Sequence, residues 1–330
     1  MGVTTSVVIC AYTEKRWDQL VAAVESVQAQ DEPVGQIVLV LDHHDGLLDK
    51  ASERWPTLTV LANSGPQGLS AARNTGIEAS WGDIVLFLDD DAVADPDWAR
   101  RLTAPYSDPT ILGVGGSAQP MWQQPPPAWW PREFGWVVGC SYRGQPTSVA
   151  PVRNLMGCNM SVRREVFARV GGFAEDLGRI GRNPLGCEET ELCIRIRQTY
   201  RRMGRDARVV FEPAAQVDHR VSGDRVRWAY LRRRSWSEGL SKAAVARLVG
   251  SEDALSTERS YVATVLPRAV LRELRAGRVA SAAAVVAALA ATTAGYLRGR
   301  LPGATSEVRL PAAESAVPAA DAVAAGTGGA

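Results

Sequence analysis

Three consecutive carboxylates, Asp89-Asp90-Asp91, close the apolar run Ile84-Val85-Leu86-Phe87-Leu88 and open a loop. Adjacent carboxylates repel one another, so such a run either faces solvent in a turn or binds something positive. Alternate residues of an extended chain point the same way, so Asp89 and Asp91 can share a face while Asp90 turns aside. Oxygen ligands of this kind suit Mg2+ or Mn2+ carried with a diphosphate better than they suit zinc. Arg73, in Ser70-Ala71-Ala72-Arg73-Asn74, can meet phosphate or hold a carboxylate with a forked hydrogen bond. His219 can add a neutral imidazole to an oxygen-rich shell or serve as a hydrogen-bonded structural residue. A second acidic cluster, Glu188, Glu189 and Glu191, begins a segment that ends in arginines. That order suits a helix dipole, and Glu191 with Arg195 gives an i,i+4 pair. As an isolated helix pair, it predicts that Glu191→Gln costs no more than about 0.5 kcal/mol.

Positioning these groups requires strands. Ser6–Ala11, Ile37–Leu41, Leu58–Leu61 and Ile84–Leu88 are short continuous apolar runs, and Leu20, Val24 and Val27 recur at helical spacing between the first two. The alternation predicts an α/β fold with a mainly parallel sheet flanked by helices. In such a sheet ligands gather beyond the carboxyl ends of the strands, where Ala11-Tyr12-Thr13-Glu14, Asp42 and Asp89-Asp90-Asp91 all fall. Ser70 is the expected N-cap of the helix that carries Arg73. No Gly-x-Gly-x-x-Gly follows the first strand and no P-loop is present, which argues against dinucleotide redox chemistry and P-loop phosphoryl transfer.

Composition narrows the partners less. The 330 residues carry 37 basic and 36 acidic side chains, so overall charge points to no polyanion, and no nucleic-acid partner is expected. Between Arg195 and Arg234, however, twelve arginines face four acids, a pattern suited to phosphates, an anionic membrane surface or a solvated helix face. Five scattered cysteines read as packed, reduced thiols of a cytoplasmic protein. No basic region or cleavage site precedes the first strand, so no secretory signal is expected.

The ordered series Val7–Tyr12, Asp42, Gly68–Gly76, Gly82–Asp91 and Gly186–Leu192 resembles the inverting family 2 glycosyltransferases of GT-A fold, over about residues 5 to 240. The resemblance implies a nucleotide-diphosphate-sugar donor, with uridine as the base. It implies that Asp42 contacts the base, that Ala11, Tyr12, Thr13 and Glu14 line the nucleoside pocket with Asp90 nearby, and that Arg73 approaches base or diphosphate. It places Asp91 and Asp89 at the two ends of the family's Asp-x-Asp motif, with His219 as a third ligand for Mn2+ or Mg2+. The family's Glu-Asp motif falls on Glu188-Glu189, which makes Glu189 the general base and Glu188 its supporting neighbour. This chain departs from the family pattern at Glu189, where the family has Asp, and at His43-His44 after Asp42.

Trp122, Trp136, Asn159, Arg179 and Arg182 are the expected acceptor contacts. The Pro-rich stretch from Met121 to Pro131 is either an aromatic platform for sugar or lipid, or a packed lid over the core. The acceptor is expected to be a hydroxyl of a glycan, a lipid-linked glycan or a small metabolite. The chain divides into a catalytic domain over 1–240, with a nucleotide half over 1–118 and an acceptor half over 119–240, a helical region over 241–301 and a flexible tail over 302–330. Ala280 to Leu297 is an uncharged run of 18 residues, nine of them alanine, bounded by Arg278 and Arg298. It reads as a buried helix, a membrane span or an interfacial helix at the cytoplasmic face of a membrane. Two other functions use some of the same features. A nucleotidyltransferase would need a Gly-rich phosphate loop for which Lys15-Arg16 is a weak substitute, and a non-catalytic carbohydrate-binding protein would leave the ordered carboxylates unused.

Overall fold

The structure is a computed structural model, and it describes residues 3–179 and 185–301. Arg182 and the tail 302–330 therefore lie outside the described residues.

The first half is built as the apolar runs require. Strands β1 (Thr5–Ala11), β2 (Gln36–Leu41), β3 (Thr59–Ala62) and β4 (Ile84–Asp89) alternate with helices α1 (Trp17–Gln28), α2 (Asp45–Arg54) and α3 (Leu69–Ala79). The strands pair in parallel in the order β3-β2-β1-β4. Successive side chains of a strand point to opposite faces, so a run without polar interruption must be covered on both. Val7 and Ile9 accordingly pack with Leu20, Val24 and Val27 of α1 on one face. Val8 packs on the other face in a core that also holds Ala72 of α3. Cys10 pairs in register with Asp89, and Ala11 with Leu41. The polar ends of β1, β2 and β4 thus emerge together along one sheet edge.

Beyond β4 the sheet becomes mixed. A short β5 (Ala92–Ala94) and α4 (Trp98–Thr103) lead into β6 (Ile111–Trp122), β7 (Ala150–Pro151), β8 (Asn159–Arg163), α5 (Arg164–Val170), α6 (Glu188–Arg202) and β9 (Arg208–Val221). β8 joins β4 and β6 antiparallel, whereas β6 and β9 are parallel, so the sheet is parallel on its first side and mixed on its second. Leu192, Ile196 and Tyr200 of α6 close the second core against Phe87, Met160 and Val166.

Helices α7 (Trp228–Val249), α8 (Ser251–Ala254), α9 (Ser256–Ser260), α10 (Leu266–Arg275) and α11 (Val279–Arg300) complete the described chain. α11 lies almost backbone to backbone on α7. A Cβ on Gly239 would stand 2.0 Å from Thr292 O, and one on Gly295 would stand 2.1 Å from Trp236 O, so only glycine fits at either place. Leu266, Ala284, Val285 and Ala288 form a core with Phe134, Val137 and Leu231, against which Trp129, Trp130 and Trp136 pack. The tryptophans after the proline run are therefore largely mortar between the sheet domain and these helices. One expected cap is corrected: α3 begins after Gly68, and the Ser70 hydroxyl, already inside the helix, donates to Leu177 O at 2.7 Å.

Candidate functional site

Asp91 sits in the tight link from β4 to β5, and β9 brings His219 opposite Ala92 of β5. One ligand atom each from Asp89, Asp91 and His219 lies within 4.8 Å of the others. His219 Nε2 is 3.3 Å from Asp91 Oδ1, and Asp91 Oδ2 faces Arg16 Nη1 at 3.1 Å and Arg225 Nη2 at 3.8 Å. Burial alone would raise Asp91, but His219, Arg16 and Arg225 together hold it below the usual carboxylate range. Burial likewise disfavours a charged His219, yet Asp91 lifts its pKa to about 10. Asp90 is buried next to Asp91 and is pushed up to about 7, with Arg16 Nη1 on Oδ1 at 2.8 Å and Oδ2 without a partner. Two carboxylates and an imidazole converging from two strands are a hard, partly filled shell of the kind that holds Mn2+ or Mg2+ and leaves positions for phosphate oxygens. A cation bound there would need His219 as the neutral imidazole, so its binding would release the proton that Asp91 holds on that ring.

A buried guanidinium ties this group to the acidic helix. Arg73 donates through Nη1 to Glu188 Oε1 at 2.9 Å, and through Nη2 to Asp89 Oδ1 at 3.2 Å and to Gly157 O at 2.9 Å. Phe173 lies under it, 5.3 Å from ring centre to guanidinium. Of the two readings of Arg73 from sequence, the fork that holds carboxylates is the one seen here. Glu188 keeps Oε2 buried and without a partner among the described residues. Glu189, one residue on, makes no side-chain hydrogen bond or ion pair with another described residue and lines the same cavity as Asp89 and His219. Burial and the neighbouring Glu188 push its pKa to about 8. The turn before it is strained: Cys187 has a φ of 72°, a left-handed conformation that costs a non-glycine residue roughly 1 kcal/mol or more. Helix α7 holds that turn, with Ser241 Oγ accepting from Gly186 N at 3.0 Å and Glu238 Oε1 accepting from Cys187 Sγ at 3.3 Å.

The cavity measures about 810 Å3, and Asp89, His219 and Glu189 line it together with Trp136, Arg234 and Leu289. Its lining thus includes residues of α7 and α11, past the boundary at 240 drawn from sequence. Trp136 and Arg179 line it. Trp122 instead packs edge-on against Trp130 at 5.9 Å in a separate apolar cluster. Asn159 is corrected as an acceptor contact: it is fully buried, donates to Ser117 O and Ala215 O, and accepts from Trp98 Nε1 at 2.8 Å, which leaves nothing to offer a ligand. At the other strand ends, Asp42 accepts from Asn63 Nδ2 at 2.7 Å and Gly68 N at 3.0 Å, with His43 Nδ1 at 2.9 Å. Ala11 is buried, Tyr12 and Glu14 are exposed, Thr13 lies between, and the Arg16 guanidinium stands 5.7 Å from the Tyr12 ring. The five cysteines are unpaired, and burial pushes Cys10 up to about 12, so its thiol is inert near neutrality.

Sequence reasoning missed the Arg16 clamp, Arg225 and the α7 support of the Gly186-Cys187 turn. A lone arginine after the first strand, or a serine and glutamate mid-helix, carries no local signal of such contacts.

Known proteins resemble this chain in sequence and in fold. The sequence pattern of glycosyl transferase family 2 matches residues 6–171. A glucosyl-dolichyl phosphate glucuronosyltransferase of Haloferax volcanii is 35% identical over 241 residues, covering 72% of this chain and 75% of the relative. Glycosyltransferase AglE of the same organism is 34% identical over 120 residues, 34% of this chain and 39% of its own length. Two solved structures share the fold. The mannosyltransferase PcManGT of Pyrobaculum calidifontis, in complex with GDP-Man and Mn2+, superposes with a TM-score of 0.57 at 17% identity over 88% of this chain and 87% of its own. GalNAc-T7 with UDP, GalNAc and Mn2+ gives 0.53 at 19% identity over 79% of this chain, which spans just over half, 57%, of that protein.

Proposed function

The chain belongs to glycosyl transferase family 2 and is a glycosyltransferase of GT-A fold using a nucleotide-sugar donor, and from that premise we propose that it transfers the sugar of a UDP-sugar, with inversion, to a hydroxyl of a lipid-linked glycan. The observation that carries this reading is the cavity itself, whose lining holds Asp89, His219 and Glu189 together. Asp91, Asp89 and His219 hold the divalent cation, Mn2+ or Mg2+, which when bound offsets charge on the leaving diphosphate. Glu189 takes the proton of the acceptor hydroxyl as that oxygen attacks the anomeric carbon from the face opposite the nucleotide. The bond from that carbon to the diphosphate oxygen breaks in the same displacement, so the centre inverts. A carboxyl held near a pKa of 8 is a stronger base than an ordinary glutamate and becomes mostly ionised only at alkaline pH. Glu188 and Arg73 keep the floor of the site in place through their 2.9 Å pair.

In this reading the nucleotide sits along the strand ends from Ala11, Tyr12, Thr13 and Glu14 to Asp42 and Asp90, and residues 119–240 with α7–α11 take the acceptor. The relative that acts on glucosyl-dolichyl phosphate favours a lipid-linked acceptor over a free metabolite. α11 supports a place at the membrane surface: it is long and apolar enough to cross a membrane, and 33% of its apolar window is buried in protein. Its outer face carries Val279, Val286 and Leu297, each more than half exposed. The test is to incubate the protein with UDP-sugars, Mn2+ and a lipid-linked saccharide, following release of UDP and the anomeric configuration of the product by NMR. Inverted product, lost on chelation and in Asp91→Ala, is expected. Retained configuration, or full activity in chelator, would contradict the reading.

A further inference from the structure

Arg234 carries a pair of donors that no described residue meets. It is 8% exposed and lies in the cavity wall. Nη1 donates to Glu238 at 2.9 Å, and among the described residues neither the buried Nε nor Nη2 meets an acceptor. Nε and Nη2 together form the flat side edge of the guanidinium, whose spacing matches two oxygens of a phosphate or carboxylate. A buried donor is ordinarily satisfied, so one left open on a cavity wall points to a ligand.

Cations outnumber carboxylates in the network that holds Arg234. Arg234, Lys242 and Arg153 share one buried network with Glu238 and Glu258, three cations against two carboxylates. The open edge also lies close to the reacting groups: a methyl built on Gly186 would stand 3.6 Å from Arg234 Nη2 and 3.8 Å from Glu188 Oε2. On its other side the wall is apolar, with Trp136 5.9 Å from the guanidinium and Phe134, Leu266 and Leu289 beyond it. Leu266 and Leu289 belong to α10 and α11, the helices whose outer faces expose Leu271, Leu274 and Val286.

We propose that the Nε–Nη2 edge of Arg234 is an anion subsite in the acceptor half of the cavity, and that it holds the phosphate of an amphiphilic phosphate ester whose apolar chain runs along Trp136, Leu266 and Leu289. This rests on the glycosyltransferase reading and locates its acceptor. The phosphate end is anchored one glycine away from Glu188 and Glu189, so the hydroxyl-bearing group attached to it is presented toward the base while the chain leads outward to the apolar face.

The test uses the full chain and needs no turnover. Binding of farnesyl phosphate, farnesol and inorganic phosphate is measured by calorimetry, and UDP with Mn2+ is titrated in parallel. The parent should bind farnesyl phosphate at least tenfold more tightly than either farnesol or inorganic phosphate. Arg234→Gln should weaken farnesyl phosphate by tenfold or more with farnesol unchanged, and Arg234→Lys, which restores the charge without the fork, should fall between. Glu238 keeps Lys242 at 3.2 Å in these variants, so no buried carboxylate is orphaned. Equal binding of farnesyl phosphate and farnesol by the parent would overturn the subsite without any variant. So would unchanged affinity in Arg234→Gln, or an equal loss of UDP binding, which would assign Arg234 to the donor. Inorganic phosphate binding as tightly as farnesyl phosphate would overturn the amphiphile. If UDP-sugar is never consumed while the Arg234 result holds, the transferase reading fails and the subsite stands.

Discussion

Glu191→Gln should destabilise the protein far more than a pair on a helix surface does. Both carboxylate oxygens of Glu191 accept from Arg195, Oε1 from Nε at 2.7 Å and Oε2 from Nη2 at 2.8 Å, with the glutamate side chain 4% and the arginine 23% exposed. The same guanidinium donates to Val170 O and, at 2.7 Å, to Gly172 O, pinning the turn that ends α5. Phe173 follows that turn, exchanges hydrogen bonds with Asn74 and lies under Arg73. Glutamine keeps one acceptor but turns an NH2 toward an arginine donor, so one charge-assisted bond of about 1.5–3 kcal/mol is lost together with the charge. We expect a loss of about 2 kcal/mol in urea unfolding, against the ~0.5 kcal/mol of an exposed i,i+4 pair. A double-mutant cycle with Arg195→Ala should return most of it as coupling. A loss of 0.5 kcal/mol or less would refute the view that this pair braces α6 on the α5 turn.

Two further outcomes follow from the site and its surroundings. With Glu189 pushed to about 8 by burial and Glu188, transfer should rise with pH toward a plateau above pH 8; the fold binds this proton where the unfolded chain has lost it, so stability should fall as pH rises from about 4.5 to 8, and urea midpoints of Glu189→Gln should lack that part of the slope. Val286→Asp with Leu297→Asp, both on the exposed face of α11, should reduce flotation with anionic liposomes several-fold while UDP affinity is kept, and equal flotation would remove the membrane from this face.

Much of the donor half was legible because its signals are local. Unbroken apolar runs at Val7–Cys10, Ile37–Leu41 and Ile84–Leu88 dictate buried parallel strands, and their polar ends must emerge side by side. The convergence of Asp89, Asp91 and His219 was expected only through resemblance, since residues 128 positions apart meet by the pairing of β5 with β9. Asn159 was expected at the acceptor, but its amide bonds Ser117 O, Ala215 O and Trp98 Nε1 within the core, contacts that no local pattern announces. The buried helix was one of the readings open for the Ala-rich run, and small residues such as Gly295 allow α11 to press against α7, which in turn holds the Gly186-Cys187 turn ahead of Glu189. Glu191 was underestimated because sequence shows the i,i+4 spacing but not its burial.

The measurement that tests the central claim most directly is the single-turnover rate of Glu189→Gln with donor and Mn2+ bound. Glutamine preserves shape and cannot take the proton, so affinity for both should stay within about twofold while transfer falls ~10²-fold or more. Transfer near the parent rate in Glu189→Gln would contradict the assignment of the base and, with it, the chemistry proposed for this cavity.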